Sequence, residues 1–184
     1  IALWDIKGKH FQAPGWERLG GNCRDKIRLH LMAGGSTPET MLQTAKDAVA
    51  EGFTALKFDP IVGEYQNMAV DRLVRTARDI TAAAREGGGP DLDLIIEVHR
   101  KLTPMTSKTL ADALAEFNLF FYEDPIQIDS IMAQGEVARN VRVPVGNGER
   151  LTTIWEFKEL LAYGGPQYVR PDVALAGGIS QCKK

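Results

Sequence analysis

With 184 residues, 44% of them hydrophobic and 25% charged, and a net charge of −2, the chain has material for one sizeable core and no excess of basic charge. That balance gives no basis for nucleic acid or an anionic membrane as partner, and apolar runs of only a few residues are too short to span a bilayer. Cys23 and Cys182 lack metal-site spacing and fit reduced thiols in a cytoplasmic protein better than a disulfide framework.

In chain order, IALWDIKGK (1–9) starts inside a helical pattern without a cap. Strands are expected at 26–32, 54–58, 93–97, 119–123, 143–147 and 167–171, all short and apolar, as suits strands buried on both faces. Helices are expected near 38–51, 68–86, 106–116, 129–139 and 153–163. Ser36-Thr37-Pro38-Glu39 supplies a cap, a proline and an acid for the first of these, and Gly52 and Gly164-Gly165 suit helix ends. The last residues, AGGISQCKK (176–184), read as a loop and the first turn of a helix. With no methionine at Ile1 and both ends in mid-pattern, the chain is expected to be an internal piece of a larger protein.

Strands alternating with helices imply a parallel sheet, either open and doubly wound or part of a (β/α)8 barrel. The open sheet calls for a phosphate-binding glycine loop after the first strand. Ala33-Gly34-Gly35-Ser36-Thr37 has neither a dinucleotide fingerprint nor a P-loop lysine, and Gly146-x-Gly148 lacks its third glycine. With acidic groups at several strand ends, a partial barrel of about six strands is favoured, and roughly two further strand–helix units are expected after Lys184.

Glu97, Glu123 and Glu149 each close an apolar run, 26 residues apart. That spacing is about one strand–helix unit, which would set them side by side on one rim of a barrel. Three carboxylates there repel one another unless a cation lies between them. Mg2+ is the expected ion, since it takes few protein carboxylates and keeps positions open for water and substrate.

These runs carry a family resemblance. ALWDIKGK with LGGNCRDKIRLH, then GFTALKFDP, EVHRKLTP, YEDP, NGERLTT and RPDVALAGGISQCKK stand in the order found in the mandelate-racemase branch of the enolase superfamily, and the chain resembles its galactonate- and mannonate-type acid-sugar dehydratases nearly end to end. The resemblance implies that residues 1–24 are the end of an N-terminal capping domain with its linker, and 25–184 a TIM-like barrel domain cut before its last strands. It implies Mg2+ on Glu97, Glu123 and Glu149, although the family more often has aspartate where Glu97 stands. A small-molecule sugar acid is the implied substrate, and a homo-oligomer the implied state of the full-length protein.

His99 lies two residues past Glu97, so in an extended chain both side chains face one way. The resemblance makes it the general acid that protonates the leaving hydroxyl, with the product a 2-keto-3-deoxy acid. Asp172 resembles the aspartate of the family's His–Asp dyad, the alternative being a routine Pro-Asp turn. Lys57 is expected either to add positive charge near the substrate carboxylate or to pair with one glutamate. Arg150 has the same two readings, binding substrate or neutralising the acids. Arg100 is expected to point away by alternation. At Asp59, where related racemases carry a lysine base, the alternatives are a turn residue before Pro60 and a site residue. Two rivals to dehydration stand beside it: an epimerase or cycloisomerase of the same superfamily, and a non-catalytic metal-binding regulatory relative.

Overall fold

A computed structural model describes residues 1–184. Six strands, β1 (Leu31–Met32), β2 (Ala55–Phe58), β3 (Asp93–Glu97), β4 (Phe121–Glu123), β5 (Val145–Asn147) and β6 (Tyr168–Val169), form one parallel sheet in chain order. Parallel neighbours need a crossover, and helices provide each one: α3 (Pro38–Ala50), α4 (Val70–Gly88), α5 (Pro104–Leu114), α6 (Ile131–Arg139) and α7 (Ile154–Glu159), the last continuing as a π-turn over Leu160–Gly164. Ahead of the sheet lie α1 (Ala2–His10) and α2 (Gly15–Arg18), and after it α8 (Ile179–Lys183). The indole N–H of Trp4 on α1 donates to Ser180 Oγ on α8 at 2.9 Å. No helix is long and apolar enough to cross a membrane.

Hydroxyl caps start four of the crossover helices. Thr37 and Thr40 satisfy each other's backbone N–H at the head of α3, and Thr153 and Glu156 do the same for α7. Thr103 and Ser130 accept from the N–H three residues on, opening α5 and α6. The Thr103-Pro104 pair starts α5 two residues before the position expected from apolar periodicity, because proline suits the first helical position.

Alternation along the strands then sorts two faces. Leu56, Phe58, Leu94, Ile96 and Tyr122 pack outward against Met41, Ala45, Ala77, Ile80, Leu110 and Leu114 of the helices, within a core of 23 buried residues. The alternate residues Lys57, Ile95, Glu97, Phe121 and Glu123 face the inside of the curved sheet, and all are buried. The sheet is thus one arc of a barrel.

The first strand is shorter than expected. Only Leu31 and Met32 join the ladder, whereas 26–32 was the apolar run. β1 is an edge with β2 as its one neighbour, and Ile27 and Leu29 stay 72% and 69% exposed, so no burial reinforces pairing there. Arg28 ties this segment down instead, donating to Thr54 Oγ1 at 2.7 Å and Thr54 O at 2.6 Å and pairing with Asp93 at 2.6 Å.

The close approach of α3 and α4 depends on Gly87. A Cβ built there would lie 2.3 Å from the Leu42 carbonyl oxygen, a backbone atom that cannot swing aside. Gly87→Ala is therefore expected to cost about 1–3 kcal/mol through overpacking, outweighing alanine's better helix propensity. Urea unfolding would read this as a lower midpoint at unchanged m-value.

Candidate active site

Glu97 and Glu123 are the last residues of β3 and β4 and are direct register partners. Both point into the barrel interior and are 1% and 0% exposed. Lys57 is in register with Ile95, one inward position below Glu97. Its Nζ rises to 2.9 Å from Glu97 Oε2 and 2.7 Å from Glu123 Oε2, so one buried ammonium bridges two buried carboxylates.

Glu149 reaches the group by another route. Gly146, not Glu149, is the register partner of Glu123. The third acid stands three residues further on, past the end of β5, so the equal 26-residue spacing does not mark equivalent positions. Gly148, with φ +119°, turns the chain at this point in a conformation that side chains other than hydrogen resist. The turn brings Glu149 back to the rim. One carboxylate oxygen from each of Glu97, Glu123 and Glu149 then lies within 4.8 Å of the others.

Two unit charges at that 4.8 Å separation repel by about 3–4 kcal/mol at an effective dielectric of about 20. The site answers this with Lys57, with Arg170 Nε at 3.4 Å from Glu123 Oε1, and with Arg100 and Arg150 at 3.5 and 3.4 Å from Glu149 Oε1. Burial and the neighbouring Glu97 charge still push Glu123 up to about 7. Glu97 is also pressed upward by burial, but Lys57 and the His99 N–H outweigh that and hold it below its ordinary value. Glu97 Oε2 and both Glu123 oxygens are buried without a well-directed hydrogen bond, their contacts with Lys57 and, at Glu123 Oε1, with Arg170 being ionic. Buried oxygens left in this state suit a hard cation.

The chain beyond β3 leaves the extended form at once. His99 and Arg100 have φ +51° and +62°, so alternation no longer decides where they point, contrary to the extended-chain expectation. His99 N–H donates to Glu97 Oε1 at 2.9 Å, and its ring Nδ1 lies 2.9 Å from Asp59 Oδ2. Arg100 turns toward the carboxylates, pairing with Asp124 and approaching Glu149. Asp124, itself at φ +44°, is pushed up to about 6 by burial and then by Glu97. Lys57, Asp59, Glu97 and His99 line an open cleft of about 530 Å3, walled also by the Gly34–Ser36 turn.

The remaining predicted residues are peripheral to this group. Arg150 is half exposed and touches Glu149. Asp172 is exposed, and its Oδ1 accepts from the N–H groups of Ala174 and Leu175 at 2.7 and 2.9 Å. That is the turn geometry set out above as the alternative for a Pro-Asp pair. Half-buried His30 lines the barrel interior beside Ile95, Phe121 and Tyr168, where burial, then Arg170 and Lys57, lower its basicity.

Sequence reading left Arg100, Lys101, Asp124 and Arg170 out of the site and Asp59 open between a turn and a site residue; Asp59 does both, accepting from the Ile61 N–H and meeting His99. For Asp124 and Arg170 a signal existed, since each adjoins a predicted strand end. Nothing local could reveal that Lys101 Nζ lies 2.6 Å from Asp59 Oδ2, because the two come from different strand–helix units.

Comparison with known proteins places this chain among relatives. Residues 40–184 match the family described as enolase C-terminal domain-like. The D-galactonate dehydratase of Xanthomonas euvesicatoria pv. vesicatoria is 35% identical over 185 residues, taking in all of this chain and 48% of that protein. The D-galactonate dehydratase of Cronobacter sakazakii is 32% identical over 183 residues, with the same coverage. The chain thus spans about half the length of the curated relatives it matches. A crystal structure of an enolase superfamily member from Salmonella Typhimurium superposes with TM-score 0.92 at 31% identity, over 100% of this chain and 52% of that one. An enolase from Agrobacterium radiobacter with bound sodium and L-malate gives TM-score 0.90 at 27% identity, over 98% and 47%.

Proposed function

Because the chain belongs to the enolase C-terminal domain-like family, we propose that it forms the greater part of the barrel of a Mg2+-dependent sugar-acid dehydratase that converts a hexonate to a 2-keto-3-deoxy acid. The observation that carries this reading is the convergence of Glu97, Glu123 and Glu149 within 4.8 Å at one rim. The D-galactonate dehydratases among its relatives favour dehydration, and residues 1–24 are read as the end of a capping domain.

The three glutamates would hold Mg2+ through oxygen, the ligand type this ion prefers. Bound there, Mg2+ supplies positive charge against the negative charge that develops on the substrate carboxylate when the α-proton leaves. The chain's own residues do the rest. Lys57 and Arg170 add fixed positive charge beside the same carboxylates. Arg150, half exposed beside Glu149, is assigned to meeting a substrate carboxylate or hydroxyl. His99 gives a proton from its ring to the β-hydroxyl as the C–O bond breaks, so water departs and the enol left behind ketonises. Asp172 is assigned to orienting the base that receives the α-proton. Asp59 occupies the position of a racemase's lysine base, which disfavours the epimerase reading.

In the full-length protein with Mg2+, a panel of hexonates is expected to yield 2-keto-3-deoxy acids, detected as their semicarbazones. A panel on which the metal-loaded protein forms no such product would favour the non-catalytic metal-binding reading.

The raised pKa of Glu123 sets a pH dependence. In the metal-free fold this carboxyl keeps its proton up to about pH 7, whereas the unfolded chain releases it near its ordinary value of 4.5. Its contribution to metal-free stability is therefore lost as pH rises from about 4.5 through 7 and is constant above that. Metal binding runs the other way. Below pH 7 the ion must displace the proton, so Mg2+ affinity is expected to fall with acidification, with about one proton released per ion at pH near 6 and almost none near 8.5. Calorimetry in buffers of different ionisation enthalpy measures that release directly.

A further inference from the structure

We propose that Asp59 is the positioning residue of the site's histidine: it holds Nδ1 of His99 and thereby presents Nε2 as the one ring nitrogen free to meet the substrate. The inference rests on the dehydratase reading above for its catalytic consequence, but its structural core stands on contacts within this chain.

Asp59 follows the last residue of β2, on the strand beside the one that leads to His99. It is itself fixed from several sides. Oδ1 accepts from the Ile61 N–H at 2.9 Å, and Oδ2 receives Lys101 Nζ at 2.6 Å. Lys101 is anchored in turn by the Ile61 carbonyl at 3.3 Å. Pro60 stiffens the backbone between Asp59 and Ile61. The Asp59 side chain is only 21% exposed, so its second oxygen sits at a defined point in the cleft wall.

That oxygen lies 2.9 Å from His99 Nδ1. A carboxylate paired with a lysine accepts hydrogen bonds and has none to donate, so the proton belongs on Nδ1. The neutral ring is then the Nδ1–H tautomer, with the lone pair on Nε2. When the ring carries two protons, the one on Nε2 is the one available for transfer. Free imidazoles prefer the opposite tautomer, so the assignment needs a cause, and Asp59 supplies it. The backbone end is held as well, since the His99 N–H is taken by Glu97 Oε1 at 2.9 Å. Between these two tethers the half-exposed ring is aimed rather than free to rotate.

This gives the departure from a lysine at position 59 a chemical meaning. An ammonium there would face His99 as a rival donor and could not hold Nδ1–H. An aspartate there converts the second-strand position from proton acceptor for substrate into a support for the third-strand acid.

The test compares Asp59→Asn and Asp59→Ala with the unaltered full-length protein, labelled with 15N-histidine and read across a pH series, so that the tautomer is taken from the neutral-ring signals. The unaltered protein is expected to show His99 as the Nδ1–H tautomer, assigned by loss of its signal in His99→Asn. Asp59→Asn keeps an acceptor oxygen and is expected to keep that tautomer, whereas Asp59→Ala is expected to move to the Nε2–H form. Turnover is expected to fall about 10–100-fold in Asp59→Ala, mainly in kcat, with Mg2+ affinity unchanged and Asp59→Asn largely rescuing it. An Nε2–H ring in the unaltered protein, or no tautomer change in Asp59→Ala, overturns the proposal. So does a kcat loss matched in the Asn variant. If no hexonate is dehydrated by the unaltered protein, the functional reading fails while the tautomer result still decides the role of Asp59.

Discussion

Replacing His99 by asparagine in the full-length protein is expected to lower dehydration by about 10²–10⁴-fold while leaving Mg2+ binding essentially intact, because a positioned acid contributes that much and no more. The substitution is chosen for the backbone. His99 sits at φ +51°, and asparagine enters this left-handed region more readily than almost any other residue with a side chain. The N–H that donates to Glu97 Oε1 is therefore kept, and with it the carboxylate it steadies. What is lost is a ring nitrogen able to carry a transferable proton. Steady-state kinetics with isothermal titration of Mg2+ on the same sample separates the two. Normal turnover in the variant removes His99 from the acid role, and lost metal binding would make the defect one of assembly.

Lys57→Met should produce the largest change in stability. Lys57, Glu97 and Glu123 are all buried, and the lysine touches both carboxylates. Without it, two interior carboxylates face each other with only Arg170 near one of them. Breaking a buried ion pair from one side costs about 3–5 kcal/mol, most of it the penalty for the charge left behind. Methionine fills most of the lysine's volume, so the loss is electrostatic rather than a packing defect. Glu123, with a pKa already near 7, relieves part of the strain by protonation below that pH. The deficit is therefore expected to be greater at pH 8 than at pH 6. Mg2+ should restore the variant by more than it stabilises the unaltered protein, since the ion takes over the missing positive charge. Thermal unfolding with and without Mg2+ measures both arms. A variant as stable as the unaltered protein without metal, gaining no more from its addition, would show that Lys57 is not the counter-charge of these acids.

The contrast between Glu97–Glu123 and Glu149 shows where reading the chain stops. Strand ends at Glu97 and Glu123 follow from the last apolar residue of each run, so their being neighbours is legible in the spacing and holds in the register. The same spacing to Glu149 is coincidental. The strand–helix unit ending at β5 is three residues shorter, and a glycine turn makes up the difference. Arg100 makes the same point from the other direction. Two consecutive left-handed residues undo the alternation that would have sent it away from the acids.

Amino-acid order alone settled the alternating architecture, the helix starts at Thr37 and Thr153, and the acids that close β3 and β4. These rest on periodicity and capping, interactions that span a few residues and are written in any short window. Folding decided which cation neutralises which acid: Lys57 between Glu97 and Glu123, Arg100 between Asp124 and Glu149, Asp59 against His99 and Lys101. Such pairings depend on strand register and loop length across separate units. A change of a few residues in one loop alters every distance without altering the local pattern.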